Sequence, residues 1–164
     1  MIICVEGNIG AGKTSMLRSL ERMGHTVVRE PVKAWSYWLE GHGDKAFFQC
    51  IVLAWYIAVF RRLRGQNAII ERSHYTANAI FAASVDFGEL DSAYQKLVKK
   101  TNEICIVDIY IFLSTPPSVC LQRLRRRQQP GDRKVTIALL REIDAAHWSM
   151  VSQLHLDGKD VYVF

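Results

Sequence analysis

Short apolar runs alternate along the chain with longer stretches in which apolar residues recur at helical spacing. The apolar runs predict five buried parallel strands, at residues 2–5, 26–29, 68–70, 106–113 and 161–164. The longer stretches predict five helices, at residues 13–23, 45–63, 90–100, 117–126 and 137–154. This alternation, without an internal repeat or a linker-like stretch, is typical of one α/β domain, so we predict a single domain over residues 1–164.

The predicted helix at 45–63 is apolar on nearly all of its faces. Thirteen of the fourteen residues from Phe47 to Phe60 are apolar, and Gln49 is the exception. The run is shorter than the ~20 residues that span a bilayer, so we predict a buried helix with one face available to a dimer interface. Gln49 then needs a partner, because an unsatisfied buried amide costs about 1–3 kcal/mol.

Composition and charge limit which cellular compartment and which binding partners are expected. The cysteines are far apart, with neither a C-x-x-C pair nor a metal-binding spacing, which predicts free thiols in a reducing compartment; they are Cys4, Cys50, Cys105 and Cys120. The first residues do not fit a signal or transit peptide, which predicts a cytoplasmic protein. The net charge of +5 indicates an anionic partner, which composition alone leaves open among a nucleotide, a nucleic acid and a membrane surface.

The stretch EGNIGAGKTS follows the first predicted strand and opens the first predicted helix. Residues 7–14 match G-x-x-x-x-G-K-[ST], and this strand and helix context favours a true phosphate-binding loop. Its glycines let successive backbone N–H groups face an anion at a helix N-terminus. We therefore predict ATP or GTP binding, with Lys13 on the β- and γ-phosphates and Thr14 on Mg²⁺. The candidate phosphate-binding residues are Gly7, Asn8, Ile9, Gly10, Ala11, Gly12, Lys13, Thr14 and Ser15.

Two further predicted strands end in acidic residues. TVVRE ends at Glu30, and AIIERS places Glu71 and Arg72 at the end of the third strand. Ligands of open α/β sheets bind beyond the carboxyl ends of the strands, so both acids are expected beside the phosphate loop. One carboxylate would accept a proton from an attacking hydroxyl and the other would hold Mg²⁺, an arrangement that suits phosphoryl transfer to a small alcohol.

The basic run RLRRRQQPGDRK occupies residues 123–134 between two predicted helices. On its own, such a run is typical of a solvated or nucleic-acid-binding surface. Beside a kinase-like site it favours a mobile arginine-rich lid, because cations must meet the charge that develops on the transferred phosphoryl group and water must be excluded.

These motifs together resemble those of the deoxynucleoside kinases, the family of deoxycytidine, deoxyguanosine, and mitochondrial and herpesviral thymidine kinases. The resemblance rests on EGNIGAGKTS, EPVKAW at 30–35, FFQ at 47–49, ERSHYTANAIFA at 71–82 and the arginine run, in this order over nearly the whole chain. It implies a P-loop kinase fold with a five-stranded parallel sheet, flanking helices and an arginine-rich lid. It also implies ATP and Mg²⁺ as cofactors, a deoxynucleoside acceptor, a homodimer, and neither a nucleic-acid nor a membrane partner.

The resemblance implies roles for individual catalytic residues. Glu30 would be the base for the sugar 5′-hydroxyl, with Arg72 beside it and Glu71 near Mg²⁺. Arg123 and Arg127 match the phosphate-contacting arginines of the family's lid, and Arg127 joins Glu30, Arg72 and Lys13 as a predicted catalytic residue.

The resemblance also implies a pocket for the nucleoside. Gln49 would read the base through its amide, with Trp35, Phe48 and Phe81 as apolar walls. Asp132 stands where the family carries an acid for the sugar 3′-hydroxyl, and Tyr37 is the candidate for the tyrosine that shares this hydroxyl.

Three departures from the family pattern stand out. The segment between Glu30 and Gln49 is shorter than is usual, and Gln129 replaces a common lid arginine. The sequence also lacks an N-terminal extension and ends at its last predicted strand, which predicts a short viral or bacterial member of the family.

Two positions bear on substrate choice. Deoxycytidine-preferring members of the family carry an arginine and an aspartate around the base, and Tyr56 and Ala77 stand at these positions here. Ala77 leaves apolar room for a 5-methyl group, and the amide of Gln49 can pair with either pyrimidine because it both donates and accepts. We predict that thymidine and deoxycytidine are phosphorylated and that purine deoxynucleosides are poor substrates.

Two alternative functions remain open at this point. A nucleoside monophosphate kinase such as thymidylate kinase would need cations for the phosphate of its acceptor, and EPVKAW offers Lys33 but no arginine. A basic P-loop module that binds nucleic acid would show salt-sensitive binding and ATP hydrolysis without a monophosphate product. Neither alternative accounts for Gln49 within an apolar helix.

Overall fold

The computed structural model describes residues 1–129 and 131–164. These residues form the following helices and strands in chain order: β1 (Ile2–Gly7), α1 (Lys13–Arg22), β2 (Val27–Val28), α2 (Ser36–Leu39), α3 (Lys45–Arg62), β3 (Ala68–Glu71), α4 (His74–Thr76), α5 (Asp91–Ile104), β4 (Ile109–Leu113), α6 (Pro117–Arg127), α7 (Ile137–Leu156) and β5 (Asp160–Val163). A π-helical turn at Ala77–Phe81 continues α4, and short 3-10 turns at Gly88–Leu90 and Asp132–Lys134 precede α5 and α7.

All strands pair in parallel, in the order β2-β3-β1-β4-β5. The central strand, β1, places Cys4 opposite Ile70 of β3 and Tyr110 of β4. The strands β2 and β3 lie on one side of β1, and β4 and β5 lie on the other. Strand order therefore reverses at β1, and the crevice for a ligand opens at the carboxyl end of this strand. The predicted α/β fold with a five-stranded parallel sheet is confirmed.

The prediction that all five strands are buried is wrong for β5. Tyr162 is 54% exposed and Val163 is 42% exposed, and because consecutive strand residues point to opposite faces, neither face of this edge strand is fully covered by the described residues. An apolar run in the sequence does not distinguish a central strand from an edge strand, since the distinction depends on strand order. The observed β2 and β4 are also shorter than predicted, whereas β3 extends one residue further, to Glu71.

The apolar helix α3 is buried along most of its length. The Asp44 carboxylate caps it by accepting the N–H of Phe47 at 2.7 Å, and Arg61 and Arg62 lie in its last turn, where cations offset the helix dipole. Phe47 is 52% exposed, so the helix is not covered on every side within this chain. Among the described residues, no helix is both long enough and apolar enough to cross a membrane.

The predicted lid begins as a helix, because α6 extends to Arg127. Gln128 ends this helix in a left-handed conformation at φ 52°, and the turn at Asp132–Lys134 leads into α7. Pro130, which is part of the predicted lid, lies outside the described residues. The short helices α2 and α4 have no counterpart in the sequence pattern, because segments of three or four residues carry no detectable periodicity.

Candidate active site

A cavity of about 820 Å³ lies between the phosphate loop, the ends of β2 and β3, and the lid. Its wall brings together most of the residues predicted from the sequence: Ile9, Gly10, Gly12, Lys13, Thr14, Ser15, Glu30, Trp35, Phe48, Gln49, Glu71, Arg72, Ala77, Phe81, Arg123, Arg127 and Asp132. Four predicted residues do not line it, namely Gly7, Asn8, Ala11 and Tyr37. Predicted residues that are far apart in the sequence thus share one cavity.

The phosphate loop has a geometry that requires its glycines. Gly7 has φ 139° and Gly10 has φ 82°, in the region that side chains other than glycine rarely adopt. A Cβ at Gly7 would lie 2.8 Å from the Leu113 carbonyl oxygen, and one at Gly10 would lie 2.8 Å from that of Cys120. The loop therefore packs against β4 and α6 at distances that no side chain would allow.

Asn8 and Ala11 anchor the loop to neighbouring parts of the chain. Asn8 Nδ2 donates to the Leu140 carbonyl at 2.7 Å, and its Oδ1 accepts the Ile9 N–H at 2.8 Å. The Ala11 carbonyl accepts the Thr115 hydroxyl at 3.0 Å. These contacts hold the loop in shape from outside the cavity.

Lys13 is buried inside the loop at the start of α1. Its Nζ donates to the carbonyls of Gly7 and Asn8, both at 2.8 Å, which leaves one of its three protons for a ligand. Burial, and after it the nearby Arg72 guanidinium, lower the pKa of Lys13 to about 7. An approaching phosphate anion would raise this pKa again, because it stabilises the charged amine.

We expect ATP binding to be accompanied by proton uptake above pH 7. The free protein holds Lys13 partly neutral there and the bound phosphate recharges it, so ATP affinity should fall as pH rises through 7. Calorimetry in buffers of different ionisation enthalpy measures the uptake. Lys13→Ala should abolish it and weaken both ATP binding and turnover. The surface variant Lys100→Ala should behave as wild type, and proton uptake that persists without Lys13 would contradict this expectation.

Glu30 and Arg72 form an ion pair on the cavity wall. Arg72 Nη1 donates to Glu30 Oε2 at 2.5 Å, and the guanidinium lies 5.1 Å from the centre of the Phe81 ring. The other carboxylate oxygen, Oε1, accepts no hydrogen bond within the described residues. Burial raises the pKa of Glu30, and the nearby Glu71 carboxylate raises it further, against the lowering effect of Arg72. A raised pKa with one free oxygen suits a general base.

Thr14 and Glu71 are positioned to share a metal ion. Thr14 Oγ1 donates to Glu71 Oε1 at 3.2 Å, across the gap between α1 and the end of β3. No cluster of three or more histidine, cysteine, aspartate or glutamate ligands occurs in residues 1–129 and 131–164. Mg²⁺ commonly takes only one or two protein oxygens, together with water and substrate phosphates, so this pair fits it.

The aromatic side chains of Trp35 and Phe48 line the cavity together with Gln49. The Trp35 ring packs edge-on against Phe48 with a centroid distance of 5.7 Å, and Trp38 stacks on Phe48 at 5.4 Å. Gln49 is 8% exposed, and its amide has no hydrogen-bond partner in the part of the chain that the structure describes. A buried amide that faces a cavity without a partner is available to a ligand.

Tyr37 and Tyr56 are not part of this pocket. Tyr37 is 56% exposed and packs against Trp38 and His42, away from the cavity. Tyr56 is buried, and its ring does not reach the cavity wall, so it leaves the space beside Ala77 free. The assignment of Tyr37 to the sugar hydroxyl has no support in the geometry.

Both lid arginines, Arg123 and Arg127, make hydrogen bonds within the protein. Arg123 Nη1 donates to the carbonyls of Ala11 at 2.8 Å and Gly10 at 3.3 Å. Arg127 makes a two-pronged ion pair with Asp132, with Nε to Oδ2 at 3.0 Å and Nη2 to Oδ1 at 2.9 Å. Asp132 also accepts the Gln129 N–H at 2.8 Å. The predicted phosphate ligand and the predicted sugar ligand are thus paired with each other.

The cavity wall also contains residues that the sequence patterns did not predict, such as Val52 and Arg18. Val52 lines the wall three residues after Gln49, and the i, i+3 spacing of a helix is the signal that would have found it. Arg18 reaches the cavity from the second turn of α1, but an exposed arginine on an amphipathic helix carries no such signal.

Comparison with known proteins gives consistent matches. The family described as deoxynucleoside kinase matches residues 3–162. A thymidine kinase of Ictalurid herpesvirus 1 is 33% identical over 86% of this chain and 70% of its own length. A probable deoxycytidine kinase of fowlpox virus is 29% identical over 92% of this chain and 72% of its own length. The solved structure of a deoxyadenosine kinase from M. mycoides with bound dATP is 18% identical, with a TM-score of 0.77 over all of this chain and 90% of that one.

Proposed function

Because the chain belongs to the deoxynucleoside kinase family, we propose that it transfers the γ-phosphoryl group of ATP to the 5′-hydroxyl of a pyrimidine deoxynucleoside. The observation that carries the proposal is the meeting of three groups in one cavity: the phosphate loop, the ion pair between Glu30 and Arg72, and the unpartnered amide of Gln49. The products are the deoxynucleoside monophosphate and ADP.

In the proposed reaction, Glu30 Oε1 accepts the proton of the 5′-hydroxyl as its oxygen attacks the γ-phosphorus. The bond from the γ-phosphorus to the bridging oxygen breaks, and ADP leaves. Arg72 holds the Glu30 carboxylate in place through its other oxygen, which is 2.5 Å from Nη1. Lys13 neutralises charge on the β- and γ-phosphates, so the chain supplies position and charge while the phosphates supply the reacting bond.

We further propose that Thr14 and Glu71 hold Mg²⁺, as the 3.2 Å contact between their oxygens favours. When bound, this ion would neutralise phosphate charge during transfer. In the lid, Arg123 and Arg127 would face the phosphates and Asp132 would accept the sugar 3′-hydroxyl. Each of these groups lines the cavity.

We propose that the enzyme prefers pyrimidine deoxynucleosides over purine deoxynucleosides as acceptors. Gln49 can donate to and accept from either thymine or cytosine, and the small side chain of Ala77 leaves room for a 5-methyl group. The names of the two viral relatives, a thymidine kinase and a probable deoxycytidine kinase, support this preference. We expect purine deoxynucleosides to be poor acceptors.

The proposed function is tested by incubating the protein with γ-labelled ATP and Mg²⁺, with each of the four deoxynucleosides in turn, and separating the products. Labelled thymidine monophosphate and deoxycytidine monophosphate are expected. Parallel reactions with thymidine monophosphate and with single-stranded DNA test the alternatives. Label transfer only to the monophosphate, or ATP hydrolysis without any labelled nucleotide, would contradict the proposal.

Ala77→Asp should lower kcat/KM for thymidine by about 10-fold or more, because a methyl group in a pocket is worth about 1–3 kcal/mol and the carboxylate would crowd it. Deoxycytidine should lose less, since an aspartate can accept a hydrogen bond from its exocyclic amine. Ala77→Ser is the matched control, as it adds one oxygen without charge. Equal losses for both pyrimidines, or unchanged thymidine activity, would contradict this role of Ala77.

The homodimer and the cytoplasmic location stay predictions. The residues of α3 that are exposed within one chain include Phe47, Ala54 and Ala58, and they form the apolar face that we propose for the dimer.

A further inference from the structure

Glu6, which immediately precedes the phosphate-loop motif, is completely buried and accepts hydrogen bonds from four donors. Oε1 accepts from the Ser73 N–H at 2.9 Å, the Ser73 hydroxyl at 2.6 Å and the Cys4 thiol at 3.4 Å, and Oε2 accepts from the Thr76 hydroxyl at 2.7 Å. The nearby His147 is neutral at physiological pH, because burial lowers its pKa to about 4, so its 3.9 Å contact with Oε2 is not an ion pair. Both carboxylate oxygens of Glu6 are therefore engaged, and the Ser73 N–H is an obligatory donor to one of them.

The residue between Glu71 and Ser73 has an unusual backbone. Arg72 has φ 60°, in the left-handed region that arginine seldom adopts. Its own N–H donates to the Val5 carbonyl at 3.0 Å, and the next N–H, that of Ser73, donates to Glu6 Oε1. Val5 and Glu6 of β1 thus hold the N–H groups of Arg72 and Ser73, one on each side of the strained Arg72 backbone.

This strained turn determines where the Arg72 side chain goes. It ends β3 at Glu71 and begins α4 two residues later, with Ser73 as the N-cap. The guanidinium then reaches Glu30 on a different strand end and packs over Phe81. A strained residue persists only where its surroundings hold it, and Glu6 supplies side-chain contacts to both Ser73 and Thr76 immediately after it.

We propose that Glu6 is a positioning residue, which holds the left-handed turn at Arg72 through Ser73 and Thr76 and so keeps the guanidinium on Glu30. Glu6 does not line the cavity, and in this proposal its effect on kcat runs through Arg72. The inference rests on the proposed roles of Glu30 and Arg72 in phosphoryl transfer.

The first test measures kcat, KM and ATP affinity for Glu6→Gln, which keeps the size and removes the charge. We expect kcat to fall on the order of 10- to 100-fold, since a misplacement of about 1 Å in a catalytic group can cost about 10²-fold, while ATP affinity changes little. A loss of ATP affinity as large as the loss of kcat would place the effect in the phosphate loop and overturn the proposal, and so would unchanged kcat.

The second test is a double-mutant cycle with Arg72→Lys. If Glu6 acts through Arg72, the double variant should be no slower than Arg72→Lys alone, because the same interaction is lost once. A purely structural Glu6 would give additive losses of activity, and that result would overturn the proposal.

A milder pair of variants covers the case in which Glu6→Gln does not fold. Thr76→Val removes one donor at constant shape and should lower kcat severalfold, and Thr76→Ser should restore it by returning the hydroxyl. Thr101→Val is the matched control, because Thr101 is also buried but donates to Val98 within α5, away from the cavity. Melting temperatures of all variants separate lost stability from lost positioning, and equal kcat for Thr76→Val and Thr101→Val would overturn the proposal.

Different results would contradict the proposed function and the proposed role of Glu6. Wild-type protein that forms no labelled deoxynucleoside monophosphate would remove the proposed function. Active wild-type protein with an equally active Glu6→Gln variant would remove only the role of Glu6.

Discussion

Replacing Glu30 with glutamine should reduce turnover by about 10²–10⁴-fold while ATP affinity hardly changes, because the amide keeps the size but cannot take the proton of the 5′-hydroxyl. The position of Glu30 explains the selectivity of this loss: its carboxylate contacts Arg72, whereas Lys13 sits within the loop that would hold the ATP phosphates. Steady-state kinetics and a separate ATP-binding measurement provide the comparison.

The pH dependence gives an independent check on Glu30. A base must be ionised to work, so activity should be lost as pH falls through the pKa of Glu30, and burial raises that pKa above the usual glutamate value. The acid limb of kcat/KM should therefore lie at a higher pH than an exposed glutamate would produce, and it should vanish in Glu30→Gln. Glu21→Gln is the control, because Glu21 is an exposed glutamate that pairs with Arg29. Near wild-type turnover in Glu30→Gln would show that this carboxylate is not the base.

Replacing Arg127 with alanine should lower kcat by about 10²–10³-fold, because a preorganised cation that meets charge developing in the transition state is worth this much. The bidentate pair with Asp132 complicates the variant, since Arg127→Ala also frees that carboxylate. Asp132→Asn separates the two effects, because it weakens the pair and keeps the arginine. If Arg127 itself meets the phosphoryl group, Asp132→Asn should mainly raise KM for the deoxynucleoside and spare more of kcat.

The same variant separates an enzyme from a nucleic-acid-binding module. One charge in a solvated basic run contributes little to non-specific DNA binding, so any such binding should survive Arg127→Ala. Arg125→Ala removes an equal charge from the same helical turn, outside the cavity, and should leave kcat unchanged. Intact turnover together with weakened DNA binding in Arg127→Ala would favour the module over the kinase.

The sequence by itself determined the features that short-range rules control. The glycine spacing around Lys13 requires a particular backbone, and the apolar runs indicate where chain segments are withdrawn from water. Acidic residues near the carboxyl ends of parallel strands lie at the same end of the sheet, so Glu30 and Glu71 were predictable neighbours of the loop. Gln49 was predictable as a binding residue because it is a polar residue within the apolar pattern of α3.

Only the tertiary structure decided which polar groups face each other. Strand order placed β5 at the exposed edge of the sheet. Packing directed the Tyr37 side chain away from the cavity, although the next helix along the chain, α3, contributes residues to the cavity wall. Arg127 of α6 and Asp132, five residues later, form an ion pair, which changes what each side chain is free to bind.

The contact between Glu6 and Ser73 joins positions 67 residues apart, and no local pattern encodes it. A hydrogen bond forms only when the donor–acceptor distance is right to within a few tenths of an ångström and the groups point toward each other. Periodicity constrains only which face of an element is buried. The sequence therefore specifies the fold and the strand ends that carry the chemistry, whereas long-range packing sets the partners of each charged group.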